Sequence, residues 1–143
     1  MAINLRKSTG SENSFSCDDK IASSIIDSYC DIELRDSLIA YCAKINNQSI
    51  EDAAIVVDIK LEKISCTNEF MLCRELNNIL FRFTGKDKKL DDKEREDLIQ
   101  MVCKPRVGFA KGLALDVAEK SIIEYCRKNQ VKVKMGLWRW EIP

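Results

Sequence analysis

The chain has 143 residues, 45% of them apolar and 32% charged, and its formal net charge is zero. That is one domain's worth of sequence, with enough apolar material for a core that needs no metal or disulfide staples. A zero balance argues against a general phosphate-binding surface, which needs a cationic excess or a segregated basic face. No apolar run approaches the roughly eighteen residues of a membrane span.

Residues 1–17, rich in Ser and Asn with Gly10, lack sustained periodicity. They read as a flexible N-terminal tail without a signal peptide's apolar centre. Residues 18–143 read as a single helical domain. Asp18 can cap a helix carrying Ile21, Ile25, Ile26 and Tyr29. A second stripe, Leu34, Leu38, Tyr41, Cys42 and Ile45, follows in a shifted phase, so the chain kinks near Asp31 or forms two short helices. Ser49-Ile50-Glu51-Asp52 has capping-box form. Behind it Ile50, Ala54, Val57, Leu61 and Ile64 keep a heptad-like spacing. Ala53, Ile55, Val56 and Ile59 widen the apolar face, which predicts a central, buried helix.

Thr67 or Asn68 opens the next helix, whose stripe is Leu72, Leu76, Ile79, Leu80 and Phe83, with Phe70 and Phe81 beside it. Gly85 is placed as its left-handed stop. Asp91 or Asp92 caps a charged helix with Leu98, Met101 and Val102 as apolar contacts, and Pro105 ends it. Leu113, Leu115, Val117, Ala118, Ile122, Tyr125 and Cys126 mark the last long helix. Val131 to Met135 alternates like a strand. A lone strand has no evident partner among helices, so Gly136 to Trp140 is expected to fold back and plug the core. No internal repeat is evident. The fold class expected is all-α, a compact multi-helix bundle.

Chemistry is hard to find. The chain has no histidine and no complete nucleotide, metal or nucleophile motif. Seven cysteines, irregularly spaced, make a poor disulfide framework and read as buried reduced thiols of a cytoplasmic or nuclear protein. Cys17, outside the predicted core, is the thiol expected to be exposed and able to link two copies as a homodimer. Gly108 to Gly112 lacks the full phosphate-loop pattern. The acids from Asp91 to Asp97 read as a solvated helix start. Lys128, Lys132, Lys134 and Arg139 beside Trp138 and Trp140 suggest a basic-aromatic patch. Tryptophans so near a chain end are expected to anchor it, so no nucleic acid is expected as partner.

An apolar helical chain without catalytic apparatus points to a groove for an amphipathic helix. Leu72, Leu76, Phe81 and Phe83 would line it, and Arg106 and Lys111 would pair with a partner acid. The chain also resembles the Bcl family of apoptosis regulators. Ile123 to Cys126, followed by Met135-Gly136-Leu137-Trp138-Arg139-Trp140-Glu141, resembles that family's late helix and its Gly-Gly-Trp-acidic turn. Ala54 to Ser65 resembles its second helix. Val107 to Ala114 resembles its Asn-Trp-Gly-Arg segment, with Phe109, Ala110 and Lys111 at the Trp, Gly and Arg places. The resemblance implies a divergent Bcl-like bundle of viral type that sequesters the death-motif helix of a pro-apoptotic protein. Lys111 would then be the charge partner of the ligand's acid, with no cofactor, no metal and no transmembrane segment. The alternative expectation is a helical adaptor or self-associating scaffold, and an enzyme ranks third.

Overall fold

A computed structural model describes residues 15–105, 111–135 and 137–143. The chain divides into two compact units, residues 1–68 and 69–143, each with its own apolar core. Where one helical domain is expected over residues 18–143, two cores form.

The first unit holds α1 (Cys17–Ser24), β1 (Tyr29–Cys30), α2 (Ile32–Ile45), α3 (Ile50–Lys63) and β2 (Thr67–Asn68). Ser16 rather than Asp18 caps α1, its hydroxyl accepting the Asp19 N–H at 3.1 Å. The first helix therefore starts inside the stretch read as a tail. Asp31 accepts the Leu34 N–H at 2.7 Å and starts α2, so the phase shift is a break between two helices with a short strand in it. Ser49 caps α3 by accepting the Asp52 N–H at 3.1 Å. β1 and β2 pair in parallel, Tyr29 opposite Thr67 and Cys30 opposite Asn68.

The second unit holds α4 (Glu69–Thr84), β3 (Lys89–Leu90), α5 (Asp92–Cys103), α6 (Leu115–Lys128), β4 (Lys132–Met135) and β5 (Arg139–Glu141). Asp91 starts α5 with a complete capping box. Its carboxylate accepts the Glu94 N–H at 2.7 Å, and the Glu94 carboxylate accepts the Asp91 N–H at 3.0 Å. α5 stops before Pro105, and the returning chain donates the Leu113 N–H to the Val102 carbonyl at 2.7 Å. Gly112 sits so close to the end of α5 that a Cβ there would collide with the Cys103 carbonyl group and lie 2.6 Å from the Lys104 oxygen. β4 runs parallel to β3 and antiparallel to β5.

The all-α expectation is corrected: the described residues hold six helices and two small sheets. β1, β2 and β3 are two residues long, too short for alternation to register. The expected plug at residues 136–140 is corrected for the same reason. The strand at 132–135 does find partners, in Lys89–Leu90 and in Arg139–Glu141. Trp138 and Leu137 stand out from it, 91% and 78% exposed. Gly85 is not the left-handed stop. That role falls to Lys88 at φ 56°, while a Cβ at Gly85 would lie 2.8 Å from the Phe81 carbonyl oxygen.

The two units also repeat one plan: helix, short strand, Asp-capped helix, helix, strand paired in parallel with the first. Ser28 and Lys88, each left-handed, precede the first strands, and Ser65 and Gln130, likewise left-handed, precede the second. The Thr67 N–H meets the Ser28 carbonyl at 2.8 Å and the Lys132 N–H meets that of Lys88 at 2.9 Å. The Cys66 N–H reaches the Leu61 carbonyl at 2.9 Å as the Val131 N–H reaches that of Cys126 at 2.8 Å. Core positions match in turn: Leu38 with Leu98, Cys42 with Val102, Ala53 with Ala118, Val57 with Ile122, Cys66 with Val131.

Candidate functional site

The outer face of α3 is where the first unit departs from the plan it shares with the second. Ala53, Val57 and Leu61 bury one side of this helix. Ile55 and Ile59, one turn apart, lie roughly 160° round the helix from them at its 100° per residue. They are 59% and 48% exposed. This corrects the expectation of a central helix: α3 is apolar on two opposed sides, and only one is covered. Around the pair stand Glu51, Asp52, Glu62 and Lys63, all exposed, leaving the rim net acidic. The matching residues of α6, Lys120 and Glu124, are exposed and charged. The shared plan therefore does not call for isoleucine at these positions.

Behind this face the helix is held by a buried polar knot. Arg35 on α2 grips Asp58 on α3 with two bonds of 2.8 Å, from Nε and from a terminal nitrogen. The Asn68 amide on β2 donates to the same carboxylate at 2.8 Å. The Asp58 hydrogen bond, opposed by burial, raises the guanidinium pKa, so Arg35 stays charged. Three elements converge on Asp58 and fix the azimuth at which α3 presents Ile55 and Ile59.

Cysteine chemistry differs from expectation. Cys17 and Cys42 form a disulfide tying α1 to α2. Cys17, buried in the core, is not an exposed thiol and offers no link between copies. Cys30, Cys66, Cys73, Cys103 and Cys126 are not in disulfides. Burial pushes the Cys66 thiol up to about 11 and drives Cys73, Cys103 and Cys126 the same way. These four stay protonated and poorly nucleophilic near neutrality. Among the described residues no group of three or more His, Cys, Asp or Glu side chains is arranged to hold a metal ion. No described helix is long and apolar enough to cross a membrane.

The residues expected to line a groove are not brought together. Leu72 and Leu76 belong to the core of the second unit. Phe81 and Phe83 are exposed, but two positions apart on α4 they point about 200° from one another. Lys111 is exposed. Arg106 and Phe109 lie outside the described residues. Ile55 and Ile59 were missed as surface residues because periodicity registers apolar side chains, not which of two apolar sides is covered. The available signal was the matching stretch 65 residues on, where the same positions are charged. Comparison with protein-family models, with curated proteins and with solved structures finds no match.

Proposed function

We propose that this chain is a non-enzymatic protein–protein interaction module that receives an amphipathic helix on the outer face of α3. The observation that carries the reading is the exposed Ile55–Ile59 pair on a helix already committed to the core on its other side. Exposed isoleucines on a helix give up burial and some helix propensity, and the matched unit does without them. The rim of Glu51, Asp52 and Glu62 selects a partner whose apolar stripe is flanked by Lys or Arg. The apolar pair supplies the anchoring contact and the rim sets register and on-rate.

A narrower form is sequestration of a death-motif helix in the manner of Bcl-type apoptosis inhibitors. It is supported by the sequence resemblance and would use Lys111 against the ligand's acid. The adaptor reading needs only the α3 face. Calorimetric titration of the purified chain, disulfide intact, with basic-flanked and death-motif helical peptides separates them. The module reading expects heat with basic-flanked peptides, lost in an Ile55→Asp, Ile59→Asp double variant whose circular dichroism is unchanged. The narrower reading expects death-motif peptides to bind and Lys111→Glu to weaken them. No heat with any helix, from folded protein, sinks both.

A further inference from the structure

The formal charge of zero conceals a division. Residues 1–68 carry seven basic and eleven acidic side chains, net −4, while residues 69–143 carry sixteen and twelve, net +4. Part of the basic excess is gathered on one face of the three-stranded sheet. Strand alternation and register decide which residues share that face. Leu90 and Val133 are paired and turn toward the core. Lys89 and Lys132, paired in parallel, therefore turn outward, and so do Lys134 and its antiparallel partner Trp140. The Lys89 ammonium sits 5.1 Å from the centre of the Trp140 ring. Arg139 faces the other way and is neutralised by Glu141 at 2.5 Å. None of Lys89, Lys132 and Lys134 is in any of the ion pairs found among the described residues. At the turn beyond this face stands Trp138, with Leu137 beside it.

We propose that this sheet face is a binding site for single-stranded nucleic acid. Neighbouring strands put Lys89 and Lys132 about 4.8 Å apart, and Lys132 and Lys134 are separated by about 6.6 Å along their strand. Lysines at that backbone spacing can track a phosphate chain, while the exposed Trp138 offers a ring on which bases stack without regard to sequence. The lysine face with a half-buried indole favours a polyanion laid across the sheet. Asp87, Asp91 and Glu141 are the nearest acids in sequence, and the Asp91 carboxylate is taken up by the Glu94 N–H at 2.7 Å. Asp87 is occupied by the Lys89 backbone N–H at 3.1 Å and Glu141 by Arg139.

The test is fluorescence anisotropy of a labelled single-stranded oligonucleotide of about 12 nucleotides, a length within the usual range of site sizes, titrated with the full chain. Three phosphate contacts predict that log K falls with log salt at a slope of about −2. Lys132→Glu, Lys134→Glu together should weaken binding more than tenfold and flatten that slope. Trp138→Ala, at a side chain with almost no contacts to lose, should weaken binding by about tenfold for one lost stack, with the slope unchanged. The Ile55→Asp, Ile59→Asp variant should bind the oligonucleotide like the parent, which keeps this site separate from the helix-binding face. Absence of binding at about 50 mM salt by folded protein overturns the proposal, as does a duplex of equal length binding as tightly. So does binding to vesicles containing anionic lipid by a protein that ignores the oligonucleotide.

Discussion

Two units of one plan are stabilised by different means. At matched core positions the second unit has Leu90, Val102, Ile122 and Val131 where the first has Cys30, Cys42, Val57 and Cys66. The first unit's cysteine-rich core is supplemented by the Cys17–Cys42 disulfide and by the Arg35–Asp58–Asn68 knot. In the second unit the counterparts of Asp58 and Asn68 are Ile123 and Val133, and Arg95 is left with a 3.9 Å approach to Asp92 at the surface. The comparison separates what the plan needs from what each copy adds. Capping aspartates, left-handed residues before the strands and the Leu38/Leu98 position are common to both. The apolar α3 face and the lysine sheet face each belong to one unit only, which is why they read as working surfaces.

The largest effects should be shared. Leu38→Ala and Leu98→Ala each remove a fully buried side chain and should cost about 3–4 kcal/mol. Both tryptophans lie in the second unit, so urea unfolding followed by indole fluorescence reads Leu98→Ala, and hydrogen exchange resolved by residue reads Leu38→Ala. A cost several times larger in one unit would break the structural match. Next comes an asymmetry: Asp58→Ala removes the two-bond ion pair at the centre of the knot and should cost about 3 kcal/mol, whereas Arg95→Ala should stay within about 0.5 kcal/mol. Comparable losses would mean that the knot holds nothing in particular.

Reducing the disulfide, which closes a loop with a sequence separation of 25, should cost the first unit about 3 kcal/mol by releasing chain entropy in its unfolded state. Exchange protection of α1 and α2 should fall while that of α5 and α6 holds. The smallest effect is a pH dependence. Cys66 titrates near 9.0 when unfolded and near 11 when folded, so between those values the unfolded state binds fewer protons. Stability from this group is complete below pH 9.0 and is lost as pH rises through about 11, by roughly 2–3 kcal/mol. Cys66→Val should flatten the curve, and the second unit, with Val131 there, should show no matching loss.

Helix starts were legible where local chemistry marks them, at Ser49 and Asp91; Asp31 showed only as a phase shift, and Ser16 took the cap expected of Asp18. The strands were not, because two-residue strands are created by partners distant in sequence, as Lys89 is by Lys132. The repeat was hidden for a related reason. It shows in sequence only over Asp31-x-x-x-Arg35-x-x-Leu38-Ile39 and Asp91-x-x-x-Arg95-x-x-Leu98-Ile99, and the connections that follow differ in length, residues 46–49 against 104–114. Of the candidate sites, the apolar and basic residues could be named from sequence. Their exposure could not, since Ile55 and Leu76 look alike until the core forms around one of them.

The account stands on the α3 face, and the most direct measurement is amide chemical-shift mapping of the isotope-labelled chain as a Lys- and Arg-flanked amphipathic helix is added. Perturbations should cluster at Glu51, Ile55, Ile59 and Glu62, leave Lys120 and Glu124 unmoved, and vanish in the Ile55→Asp, Ile59→Asp variant. Perturbations confined to the second unit, or none at saturating peptide, would contradict it.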